Sequence, residues 1–125
     1  MMNLRSRERV VDNAQLAGRL CVDSAELRAA HAKHMATHGN LIPHTFMGEV
    51  LARAGACALA GGANSVQRRE ELDSILATLE DAMAGGDLEA CTVICISFIW
   101  DGKGEPFFAA LRPLLGPRLE ALART

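Results

Sequence analysis

The chain predicts an all-α fold, a single-domain bundle of about six helices with a central apolar helix, and three observations predict it. Half of the 125 residues are hydrophobic, yet aromatic residues make up only 4% and tyrosine is absent, which suits close-packed helices better than β-branched and aromatic strands. Apolar residues recur at spacings of three and four along most segments. Glycine and proline pairs, at Gly39-Asn40, Gly61-Gly62, Gly85-Gly86, Gly102 to Gly104 and Gly116-Pro117, punctuate the chain at helix-length intervals. A chain of 125 residues fits one domain, residues 1–125.

Taken in order, residues 4–21 place Leu4, Val11, Leu16 and Leu20 at rough helical spacing, a weak first helix over the first 20 residues that frays at its start, where Arg5, Arg7 and Arg9 lie. Asp23 with Glu26 has the form of a capping box, and Val22 with Leu27 that of a hydrophobic staple, so a helix over about residues 24–38 is expected. Pro43 suits the first turn of a third helix with Phe46, Met47, Val50, Leu51, Ala54 and Ala58 on one face, stopped at Gly61-Gly62. Asn64 or Ser65 caps a fourth, whose stripe of Leu72, Ile75, Leu76, Leu79 and Met83 opposes Glu70, Glu71, Asp73, Glu80 and Asp81.

The segment from Leu88 to Trp100 favours a strand by propensity, with Thr92, Val93, Ile94, Ile96 and Ile99. Asp87 as an N-cap and Glu89 in a first turn favour a helix. Apolar all round, with Val93, Ile96 and Trp100 completing its circumference, this helix is expected in the middle of the bundle. Two short helices, broken near Arg112-Pro113 and Gly116-Pro117, close the chain.

Charge narrows the function. The net charge is −2 and the pI is near 6.1, leaving no basic excess for a phosphate backbone, so no nucleic-acid partner is expected. The basic start is followed by no secretory apolar region, and Cys91–Trp100 is about half of the ~20 residues a membrane span needs, which predicts a cytoplasmic protein without a membrane partner. Residues 1–69 carry nine basic and five acidic side chains (+4), residues 70–105 one and nine (−8), and residues 106–125 three and one (+2). The acidic stretch can attract a basic partner and speed its encounter.

Chemistry-bearing patterns are sparse. His31, His34 and His38 share a helix face at a spacing that can hold zinc, but a structural site normally closes with four ligands and no metal is expected. Cys91 and Cys95 are spaced C-x3-C, unlike the C-x-x-C of redox pairs, and read as core residues. No G-x-S-x-G, P-loop or H-E-x-x-H occurs, so neither catalysis nor a cofactor is expected. Glu49 and Arg53 stand at i, i+4 on the third helix with His44 one position into it, and form either a surface ion pair or, with His44, part of a pocket or docking site.

Four segments, PH-x3-GE at residues 43–49, LE-x-A-x3-GD at 79–87, SF at 97–98 and LGP-x-L at 115–119, resemble a family of small bacterial immunity-like proteins, the partners of polymorphic or contact-dependent toxins. The resemblance spans residues 41–122 and marks Pro43, His44, Gly48, Glu49, Glu80, Gly86, Asp87, Ser97, Phe98, Gly116 and Pro117. It implies a non-enzymatic protein that neutralises a cognate protein toxin by covering its active site or substrate surface. The expected partner-binding residues are Glu70, Glu71, Asp73, Glu80, Asp81, His44, Glu49 and Arg53. The competing expectation is a small helical enzyme or ligand-binding module with a pocket around His44, Glu49 and Arg53.

Overall fold

Helix α1 (Asn13–Asp23) starts where Asp12 caps it: the Asp12 carboxylate accepts from the Gln15 amide while the Gln15 side chain accepts from the Asp12 amide. The computed structural model describes residues 10–125. The arginine-rich start predicted for this helix therefore lies outside the described residues. Val11, just before the cap, donates to Gly85 and accepts from Asp87, so the chain's entry is laced to the turn between two later helices.

Helix α2 (Ala25–His38) is capped by Ser24, whose hydroxyl accepts from the Leu27 amide, and not by Asp23. Asp23 instead ends α1 and accepts a hydrogen bond from the Thr78 hydroxyl. Val22 is 81% exposed, so no staple forms. At the far end Gly39 takes the left-handed conformation, φ 79°, that ends the helix and returns its amide to Met35.

Helix α3 (Pro43–Leu59) begins with proline in its first turn, as expected, and buries Phe46, Met47, Val50, Leu51 and Ala54. Cys57 joins this face while Ala58 is only half-buried. Gly55 lies on the same face, where the Phe107 ring packs so closely that a Cβ would meet it at 2.6 Å. After a short 3-10 turn (Gly62–Asn64), helix α4 (Ser65–Gly85) buries Leu72, Ile75, Leu76, Leu79 and Ala82.

Helix α5 (Leu88–Val93), capped by Asp87, runs without a break into a π-helical segment (Ile94–Trp100) and a last turn, α6 (Asp101–Lys103). The helical reading of this segment holds, because the Asp87 side chain supplies the cap that a strand would not use. Its burial differs from expectation. Ala90, Val93, Ile94, Phe98 and Ile99 are buried, but Leu88 is 81%, Trp100 52% and Ile96 37% exposed, so the rod lies against the bundle with one face open.

The chain closes with α7 (Phe108–Leu111), a 3-10 turn (Arg112–Leu114) and α8 (Pro117–Ala123). One apolar cluster draws on α1 to α5, the π segment, α7 and α8, with Leu20, Leu72, Leu79, Ile94, Phe98 and Leu119 fully buried. Each such side chain contributes roughly 1.5–3 kcal/mol by leaving water. Among the described residues there is no strand, only an isolated bridge between Val11 and Gly86, and no helix is long and apolar enough to cross a membrane.

Candidate partner-binding surface

The five acidic residues expected on one open face of α4 divide into two groups. Glu70, Asp73 and Asp81 are exposed. Glu71 and Glu80 turn inward and hold the bundle together, which corrects the expectation for both.

Glu71 lies at a three-way joint. Its carboxylate accepts from Arg53 of α3 through Nε at 2.7 Å and Nη2 at 2.8 Å, from Arg68 at 2.6 Å and from the Ser24 hydroxyl at 2.5 Å. The Arg53 guanidinium holds the Glu71 carboxyl down to about 2 against the upward push of burial, with Ser24 and Arg68 assisting. The same pairing raises Arg53. Ser24 thus serves twice, accepting from Leu27 to start α2 and donating to Glu71. Reversing Glu71 to lysine would place a cation among arginines, so Glu71 is not a surface position open to charge reversal. Asp73 forms an exposed i, i+4 pair with Arg69.

Glu80 reaches across to the start of α8. It accepts from the Arg118 amide at 2.7 Å and the Leu119 amide at 3.1 Å, the donors that the glycine at the cap position cannot satisfy with a side chain of its own. Gly116 allows this approach, since a Cβ there would meet the Glu80 carboxyl carbon at 2.7 Å.

His44, Glu49 and Arg53 do not converge. His44 shares a hydrogen bond of 2.6 Å with Ser97 of the π segment, and Arg53 is engaged by Glu71. Glu49 and Arg53 do border one shallow depression of about 310 Å³ with Glu26, Leu27, Ala30 and Ala52, but His44 is not part of it. The pocket expected around all three is therefore not formed as a unit.

The three histidines are also used separately. His34 is buried and its Nε2 accepts from the Ile42 amide at 2.9 Å, fastening the α2–α3 connection, while its Nδ1 lies 3.9 Å from Glu49. His31 packs edge-on against Phe46, and His38 stacks at a tilt on His34. Among the described residues no group of three histidine, cysteine, aspartate or glutamate side chains is placed to hold a metal. Cys91 directs its thiol at the terminal carbonyls of α4, and burial pushes its pKa up, with Asp87 adding to the effect.

Of the residues singled out by motif, His44 meets Ser97 and Glu80 meets Gly116 across the bundle, whereas Gly86 pairs with Val11 and Asp87 caps α5. No family model, curated protein or solved structure matches this chain.

Sequence reasoning missed the outward members of the acidic stretch beyond α4. Glu89, Asp101 and Glu105 are exposed, and with Glu70, Asp73 and Asp81 they make six exposed carboxylates against one exposed cation, Lys103, between residues 70 and 105. The signal was present in the −8 total, but the helix face of each residue had to be known before the inward ones could be separated from the outward ones.

Proposed function

We propose that the chain is a cytoplasmic immunity-type protein that binds a cognate bacterial protein toxin and neutralises it by covering its active site or substrate surface. The observation that supports this best is the excess of outward charge: with Glu71 and Glu80 drawn inside, six carboxylates of residues 70–105 still face solvent. Charge of one sign on a rigid helical body raises the encounter rate with a basic surface such as a nuclease cleft, where carboxylates stand in for phosphate. The polar groups that could have formed a reaction centre are committed to structural pairs, Arg53 to Glu71 and His44 to Ser97.

Co-expression with the protein encoded next to this chain tests the reading: that protein alone should stop bacterial growth. Wild type should restore growth, and the triple reversal Glu70→Lys, Asp73→Lys, Asp81→Lys should fold normally but protect poorly. Full protection by the triple variant would remove the acidic face of α4 from the mechanism. Failure of wild type to protect would remove the immunity reading itself.

A further inference from the structure

The rod formed by α5, the π segment and α6 leaves Leu88, Thr92, Ile96 and Trp100 exposed, every fourth residue over three turns. In a plain α-helix such a series drifts round the axis, because four residues exceed the 3.6 of one turn. A π turn holds more residues than an α turn, so passing through Ile94–Trp100 reverses the drift. The four side chains therefore form a straight seam roughly 17 Å long.

Glu89 and Asp101 each follow a seam residue by one position and are both exposed, so they lie on the same side of it, one at either end. We propose that this seam is a docking site for an amphipathic helix of a partner protein that carries basic residues along one edge. The inference rests on the reading of the chain as a protein-binding module and adds a second surface to the acidic face of α4. Apolar contact from Leu88 to Trp100 would supply the buried centre, where tryptophan is a frequent anchor, and the acidic edge would set orientation. A second copy of this chain is the poorer occupant: antiparallel two-fold pairing of the rods would set Glu89 against the other copy's Asp101, like charge against like charge.

Trp100 is the only tryptophan in the sequence, so its fluorescence reports on the seam alone. The probe is a synthetic 14-residue helical peptide, a length of about four turns, with a leucine seam and lysines along one edge; its control carries glutamates in place of the lysines. At low salt the lysine peptide should shift Trp100 emission to the blue and bind at least about tenfold more tightly than the control. The double variant Glu89→Lys, Asp101→Lys, with unchanged circular dichroism, should lose about that factor, and Leu88→Asn should weaken both peptides.

No emission shift with the lysine peptide, or equal binding of the two peptides, overturns the proposal. A shift that depends on protein concentration alone, with sedimentation as a dimer, also overturns it by assigning the face to a second copy. The two readings fail separately: failure of wild type to protect rejects the immunity reading, whereas loss of protection by reversals on α4 with full protection by Glu89→Lys, Asp101→Lys and Leu88→Asn rejects the seam and leaves the immunity reading standing.

Discussion

Glu71 serves four donor atoms from three residues, Ser24, Arg53 and Arg68, and the bundle's response to acid follows from that. The carboxyl titrates near 4.5 when the chain is unfolded and near 2 when folded. Above the unfolded value it is charged in both states and the stabilisation is fully present. As pH falls the unfolded chain takes up the proton first, so the contribution, on the order of 3 kcal/mol, is lost between about 4.5 and about 2. Urea unfolding of wild type across that range should show the loss, and Glu71→Gln should flatten it. Arg53→Ala should be worse than Glu71→Gln at neutral pH, costing about 3 kcal/mol, because it leaves a largely buried carboxylate short of its main partner. Equal stability of Arg53→Ala and wild type would show that the joint contributes nothing.

Gly116 and Glu80 make a second residue-level case. Gly116→Ala should destabilise by about 1–2 kcal/mol, because the added Cβ displaces the carboxylate that caps α8; Glu80→Ala should cost a similar amount, and the two together little more than either alone. Additive losses would show that the two residues act independently. Nothing local announced this joint: Glu80 stands 38 positions from Arg118, and on its own helix it reads as one more outward charge. Glu71 misled in the same way, since its partner Arg53 belongs to α3 and i, i+4 spacing had linked Arg53 to Glu49 instead.

At the scale of elements, periodicity and caps located α2, α3, α4 and the helix after Asp87 to within a few residues. The α1–α2 corner went differently. Asp23 and Ser24 are both competent caps, and Thr78, 55 residues along the chain, engages Asp23 and leaves the cap to Ser24. The capping box at Asp12 is legible in the sequence as D-x-x-Q. The π segment was not legible at all: a π insertion changes which residues share a face without changing the residues, and what accompanies it is tertiary, the Ser97–His44 bond and packing on α3. Asp87→Ala should cost about 1 kcal/mol in thermal or urea unfolding, since its side chain accepts from the Ala90 amide in a segment whose residues otherwise favour a strand. No loss of stability would mean that packing alone holds the rod helical.

For the molecule as a whole, the signs of the three stretches, +4, −8 and +2, were readable from composition, whereas the division of the acidic stretch into structural and outward carboxylates required the fold. That division carries the functional account. The structural members tie α2, α3, α4 and α8 into one body, and six members stay outward, Asp73 among them paired with Arg69. The most direct test is the association rate with the protein encoded beside this chain, which the proposed function takes to be its toxin, measured by stopped flow at rising ionic strength for wild type and for the triple reversal Glu70→Lys, Asp73→Lys, Asp81→Lys. The account predicts that wild type associates at least about tenfold faster at low salt and that the gap closes as screening approaches the ~8 Å length reached near 0.15 M. Equal rates at low salt, with both proteins folded, would contradict it.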